Sequence, residues 1–397
     1  MDDKRKTPKL RFPGFTDDWE QRKFGEILDE FSNKSTTENE YPVLSSTNTG
    51  MEFRDGRVSG TSNVGYKIIN NNDLVLSPQN LWLGNININD IGIGIVSPSY
   101  KTFKLRGIET DFFRPQIRTT YLMNEYYNAS IQGASVVRRN LDIEKFNDIS
   151  IFVPSSLEQE AIGRFFSKLD NLITLHQRKL EQMKEYKKGM LQRMFPKNGE
   201  TVPEIRFPGF AADWEQRKLS EISDIITGTT PPTKDKDNYG GDRLFVSPAD
   251  IHGNRFVDET ITTLTEKGYA LGRELRAGTT LFVSIGSTIG KVAQIKESAT
   301  TNQQINAVIP NGEMDDNFVF TMLENEADKI KKLAATQAVP IINKTTFGET
   351  EIQFPKKEEQ AKIGEYFLSF DNLITLHQRK LELMKDYKEG LLQQMFV

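Results

Sequence analysis

The chain repeats itself, and nothing else in its 397 residues constrains the fold as strongly. Residues 9–30 read KLRFPGFTDDWEQRKFGEILDE and residues 204–225 read EIRFPGFAADWEQRKLSEISDI, identical at 14 of 22 aligned positions. Further on, residues 159–195 align with residues 360–396 at 25 of 37 positions, including the unbroken run DNLITLHQRKLE at 170–181 and 371–382. Between these matched ends lie two bodies, roughly residues 31–154 and 226–355, that barely resemble each other. Solenoid repeats have short periods and many copies, so a period near half the chain excludes them. A duplication with preserved ends and divergent middles implies one frame carrying two different recognition surfaces.

The matched tails read as long helices. No proline occurs from residue 158 to 195, and strong helix formers dominate. Pro154 with Ser155 and Ser156 supplies a start signal, and Pro196 with Gly199 a stop. Alternating steps of three and four pick out Phe166, Leu169, Ile173, His176, Leu180, Met183, Lys187, Met190 and Met194. The copy gives Phe367, Phe370, Ile374, His377, Leu381, Met384, Lys388, Leu391 and Met395. That alternation is the seam of a coiled coil, narrower than the stripe of a surface helix. Each helix is expected to be about 55 Å long. Because only PKNGETVP separates the first helix from the second RFPGF, a pseudo-twofold relation would send the second helix back along the first. The expected architecture is a mixed α/β chain in which two bodies are joined by two long helices forming an antiparallel coiled coil. Such pairing would bring His176 and His377 together, as a metal or pH-sensing pair or, more commonly, as a polar layer that fixes register. Lys187 and Lys388 are expected to snorkel out of the seam along their stems.

Composition then removes whole classes of chemistry. Cysteine is absent and histidine occurs three times, at His176, His252 and His377, so thiol nucleophiles, disulfides and cysteine-based zinc sites are excluded. Lysine plus arginine is 51 against 55 for aspartate plus glutamate, a net charge of −4. Any nucleic-acid surface must therefore be local. No apolar run is long enough to span a bilayer, and MDDKRKTPK has no apolar core of a signal peptide. A cytoplasmic location is expected.

Both bodies look strand-rich. Residues 73–77 (DLVLS), 92–97 (GIGIVS), 280–284 (TLFVS), 291–295 (KVAQI) and 307–310 (AVIP) are short apolar runs, and helices are expected near residues 121–130 and 317–335. Polar loops punctuate them: Gln79 and Asn80, Arg138, Arg139 and Asn140, Asn302, Gln303 and Gln304, Asn343 and Lys344. Glutamine and asparagine can pair bidentately with adenine, and arginine with guanine, although such residues equally suit ordinary solvated loops.

Catalytic signatures are missing. GSTIGKV at 286–292 has three residues between its glycines and a valine after the lysine, where a phosphate-binding loop needs four and a serine or threonine. No dinucleotide fingerprint follows a strand, and the asparagine–proline–proline–aromatic tetrad of amino-methyltransferases is absent. His252 reads as a turn residue, and WEQRK around Trp19 and Trp214 reads as structural or docking because it recurs where each body begins.

In this order, LRFPGF–WEQRK at 10–23 with its copy at 205–218, and Pro154 with Gln159 and Pro355 with Gln360 before each helix, closely resemble the specificity subunits of type I restriction–modification systems. The stretch 284–310, SIGSTIGKVAQI through TNQQINAVIP, looks like the core of a target recognition domain, and adds Ser284, Ser287 and Lys291 to the candidate DNA contacts. The resemblance implies a first target recognition domain at 9–157, a central helix at 158–196, a linker at 197–203, a second recognition domain at 204–357 and a final helix at 358–397. It implies that each body reads one half of a bipartite double-stranded DNA site, while the helices set the spacing and dock two methyltransferase subunits, joined by translocating endonuclease subunits. The chain itself would hold no catalytic residue and no metal. S-adenosylmethionine, ATP and magnesium would serve the partners, in a complex acting as an adenine-N6 methyltransferase and ATP-dependent endonuclease. The competing reading is a non-catalytic scaffold with two protein-binding heads on a coiled-coil spacer.

Overall fold

The structure, a computed structural model, describes residues 7–54, 62–132, 139–197, 199–334 and 340–396. It divides into two compact units: residues 1–176 with 381–397, and residues 177–380. The repeat boundary and the unit boundary differ, because each long helix contributes to both units. The helices run Ser156–Met194 and Lys357–Met395, 39 residues each, or about 58 Å.

Within each unit the start of one helix pairs antiparallel with the end of the other. In the first unit Phe166 meets Phe396 at 5.7 Å between ring centroids, and Lys388 Nζ lies 2.6 Å from Asp170 Oδ1. In the second, Phe195 meets Phe367 at 6.4 Å and Lys187 Nζ lies 2.6 Å from Asp371 Oδ1. Every position picked out by the three–four alternation is buried or half-buried, and from residue 171 to 188 these are the only unexposed positions of the first helix. His176 and His377 are both half-buried, each in its own unit. Lys187 departs from the expectation of snorkelling: it is 8% exposed and ion-paired on two sides. A seam lysine can stay inside when carboxylates surround its head, because desolvation is then offset by charge-assisted bonds.

The repeated motifs build the same anchor twice. Arg11 donates from Nε and Nη2 to the two oxygens of Glu158 at 2.6 and 2.7 Å, and also from Nη2 to the carbonyl of Asp17. Arg206 does the same to Glu359 at 2.7 and 2.8 Å and to the carbonyl of Ala212. Gln159 donates to the carbonyl of Pro154 and accepts from the backbone of Glu109; Gln360 repeats this with Pro355 and Asp315. One helix-start glutamine thereby ties the helix to its own approach strand and to the body. The EQRK segments are strands, Glu20–Lys23 paired with Ser150–Val153 and Glu215–Lys218 paired with Glu351–Phe354. Trp19 is buried against Phe112 and Phe396, and Trp214 against Phe195 and Phe318. WEQRK is thus structural.

The bodies differ in architecture. The first carries a four-stranded antiparallel sheet, in the order Leu28–Phe31, Lys101–Leu105, Leu74–Leu76, Ile86–Ile88. Its aromatic core of Phe24, Phe103, Phe113, Tyr126 and Phe146 is completed by Leu391 and Met395 from the last helix. The second carries a five-stranded sheet, in the order Ser223–Thr227, Ile305–Pro310, Thr280–Val283, Val292–Ile295, Phe256–Val257, antiparallel except for its last pair. A three-stranded sheet accompanies it, and the helix Asp316–Lys331 packs on its core. The helix expected near 121–130 is Thr120–Asn128; Thr110–Gln116 is a further helix that the apolar pattern did not signal.

The helical glycines separate two roles. A Cβ at Gly364 would lie 2.6 Å from Asp315 Oδ1 and 2.8 Å from Phe318 N, and one at Gly163 would lie 3.0 Å from the backbone at Asp111 and Phe112. These glycines let a body helix approach the long helix. At Gly189 and Gly390 a Cβ would meet nothing within 4 Å. Gly390→Ala should therefore stabilise the protein by about 0.5–1 kcal/mol, whereas Gly364→Ala should destabilise it by about 1–3 kcal/mol. Denaturant unfolding of the two variants checks the opposite signs.

Candidate nucleic-acid interface

In the second unit the structure gathers most of the expected contact residues at one end of the five-stranded sheet. Ile285 bridges to Ile341, Gly286 N donates to Pro340 O at 3.0 Å, and Ile342 N donates to Ser284 O at 2.8 Å. Ser284 N in turn donates to Gln304 O at 2.8 Å, which fastens the 302–304 turn to the same place. The turn at 228–230 lies on it, with Gly228 N donating to Ile305 O and Thr229 N to Thr301 O. A Cβ on Gly228 would strike the carbonyls of Thr301 and Asn302, so only glycine permits this approach.

The individual side chains divide into spent and presented groups. Ser284 is 2% exposed, its hydroxyl donating to Phe282 O and accepting from Asn306 Nδ2. That hydroxyl is bonded within the sheet. Lys291 donates to the carbonyl of Ile251 at 2.7 Å and is half-buried. Asn302 and Gln304 bond to each other at 3.0 Å and shape their turn, and Asn343 accepts from Thr346 N to cap a short helix. Ser287, Gln303 and Lys344 are exposed. The GSTIGKV segment is the connection between the strands Thr280–Val283 and Val292–Ile295, not a strand-to-helix phosphate loop. His252 is an exposed turn residue before Gly253, whose φ is +88°.

The first unit scatters its candidates. Gln79 is exposed and Asn80 half-buried in the turn before the one-turn helix Leu81–Leu83. Arg139 stacks on Tyr127, 4.0 Å from the ring centroid, and donates to Ser130 O at 2.7 Å. It holds the ladder of Ser130–Gln132 with Arg139–Leu141, on which Asn140 is exposed. Arg138 lies outside the described residues. Among the described residues, no group of three or more histidine, cysteine or acidic side chains could hold a metal, and no helix is long and apolar enough to cross a membrane.

Sequence reasoning missed two arginines. Arg118 gathers the carbonyls of Thr47 and Thr49 and the side-chain oxygen of Asn87, and burial pushes its guanidinium below its ordinary value. Arg255 is buried beneath the second body, bonded to Gln294 at 2.9 Å, Asn317 at 2.8 Å and Asp371 at 3.1 Å, over the ring of Phe320. With Lys187 and Glu324 it makes a four-charge network joining body to both helices. Burial lowers Arg255 and Asp371 opposes that; burial raises Glu324 and Lys187 opposes it. No local pattern announces contacts separated by more than 100 residues in the chain.

The two units share duplicated anchors and paired long helices and differ in their bodies. The chain matches the family model of the type I restriction modification DNA specificity domain twice, over residues 16–185 and 211–385, and it belongs to that family. It is 25% identical to the type I restriction enzyme MjaVIII specificity subunit of Methanocaldococcus jannaschii, over 96% of this chain and 92% of that one. The MjaIX specificity subunit of the same organism is 28% identical over 47% of this chain, a match spanning 44% of that relative. Among solved structures, the S subunit of a type I system from M. genitalium superposes with a TM-score of 0.68 at 14% identity, covering 98% of this chain and 99% of that one. A chain from work on assembly and conformational transition of a type I system has a TM-score of 0.51 at 18% identity, covering 98% of this chain and 99% of that one.

The buried network and its simpler counterpart should respond differently to loss of one charge. Arg255→Ala leaves two carboxylates, Asp371 and Glu324, sharing the single lysine Lys187, and should cost about 3–5 kcal/mol. Lys388→Ala breaks a pair whose side chains are 25% and 40% exposed, and should cost at most about 1 kcal/mol. Chemical denaturation of both variants measures the contrast.

Proposed function

We propose that the chain directs a type I restriction–modification complex to DNA, each body reading one half of a bipartite, asymmetric double-stranded site. The observation that carries this is the pairing of one duplicated frame with two bodies of different sheet architecture. Duplicated frames make the two halves alike to a partner, while different sheets and loops present different side chains to DNA. Half-sites one helical turn apart are about 34–36 Å from each other, within the reach of helices about 58 Å long.

The helices also fit docking of two like partners. Leu172 and its copy Leu373 are 48% and 46% exposed, and Leu175 and Leu376 are 62% and 63% exposed. Leucines one turn apart and equally uncovered in both copies suit one partner bound twice. In this reading the partners are methyltransferase subunits, joined by restriction translocase subunits, and it is they that use S-adenosylmethionine, ATP and magnesium. The net charge of −4 fits a chain whose DNA affinity is completed by its partners.

Exchanging residues 31–154 for a foreign body should change one half of the methylated sequence and leave the other intact, read by mapping methylated adenines across a genome. An unchanged sequence would return the chain to the scaffold reading. Leu175→Asp combined with Leu376→Asp should abolish co-elution with methyltransferase subunits while leaving the helical circular dichroism signal unchanged. Undiminished co-elution would move the docking surface elsewhere.

A further inference from the structure

The edge of the second unit that gathers residues 228–230, 285–290, 302–304 and 340–345 contains no aspartate or glutamate, in a chain with 55 of them. It carries one cation, Lys344, which is exposed. Such a stretch is the local exception that an acidic chain needs wherever it meets a polyanion. The edge is also built, not loose: Gly286 has φ +100°, Gly228 admits a backbone approach that no side chain would tolerate, and the bonds at Ser284, Gly286 and Ile342 lock the loops to the sheet.

Within it one side chain is singled out. Asn302 and Gln304 use their amides on each other, and Asn343 uses its oxygen as a helix cap. Gln303 is exposed, and the hydroxyl of Thr230 donates to its Oε1. The structure places Oε1 on the side of Thr230. A second lone pair on Oε1 remains, and among the described residues Nε2 donates to no protein group. An amide so oriented presents an acceptor beside a donor, the pair that matches N6–H and N7 of adenine in the major groove. Preorganisation by Thr230 lowers the rotamer cost of that contact.

We propose that this acid-free edge is where the second unit meets DNA, with Gln303 reading an adenine edge and Lys344 contacting a phosphate. The assignment rests on the reading of the bodies as DNA-recognition modules, and it names the side chains that act. The test uses the full chain assembled with its methyltransferase subunits, by methylation mapping and by binding to duplexes carrying each base at each position. Gln303→Ala should relax one position of one half-site, discrimination for adenine there falling about 5- to 150-fold, with the other half-site, assembly and melting unchanged. Thr230→Val should relax the same position to a smaller degree. Lys344→Ala should weaken all duplexes alike and reduce the slope of log affinity against log salt by about one.

Full discrimination at every position in Gln303→Ala overturns the base assignment, as does uniform weakening without relaxation. An unaltered salt slope in Lys344→Ala overturns the phosphate contact. Exchange of residues 226–355 separates the two levels. If that exchange leaves the methylated sequence unaltered, the recognition reading itself fails; if it changes one half while Gln303→Ala changes nothing, only the present assignment fails.

Discussion

Glu158 and Glu359 are each 1% exposed, and a carboxylate so removed from water needs a partner that bonds to both of its oxygens. Arg11 and Arg206 supply that match, two nitrogens to two oxygens, and in doing so raise their own affinity for the proton. Each arginine sits in the segment before its body, and each glutamate in the first turns of the helix after it. The bidentate pair therefore clamps together the two ends of every body. Between clamped ends the intervening chain can change sheet order, loop length and surface chemistry while the clamp itself stays the same. The different sheets of the two units are the visible result.

What the repeat made legible was the frame. The alternation of three and four located the seam residues because burial along a helix is periodic, and local spacing is enough to reveal it. The proline and glutamine at the entry to each helix form a visible pattern, but their reason lies in the carbonyls of Pro154 and Pro355 and the amides of Glu109 and Asp315. Lys187 shows where spacing misleads. Its heptad position was read correctly, and its environment was not, because Glu324 and Asp371 arrive from elements 137 and 184 residues away. The duplication did hold a clue: Asp170 and Asp371 stand at matched positions, as do Lys187 and Lys388, and each aspartate pairs with the lysine of the other copy.

The bodies were less legible, for a physical reason. Strands such as Thr280–Val283 are buried on both faces and announce themselves by composition alone. A polar residue in a loop carries no comparable signature, since the same asparagine can read a base, cap a helix or brace a turn. Asn343 caps, Asn302 braces, and Ser284 vanishes into the sheet, while neighbouring Gln303 and Ser287 stand in solvent. Only the partners settle the difference, some of them near in the chain, as Thr346 N and Gln304, and some on another strand, as Asn306.

The mismatch between repeat and unit bears on how the chain is made. The core of the first unit includes Leu391 and Met395, with Phe396 against Trp19 and Phe166. A ribosome delivers Phe396 377 residues after Trp19. The first body must therefore wait, with part of its apolar interior uncovered, while the whole second unit is synthesised. Contacts of such long sequence separation are slow to form, so the first unit completes its core only after the second has been made.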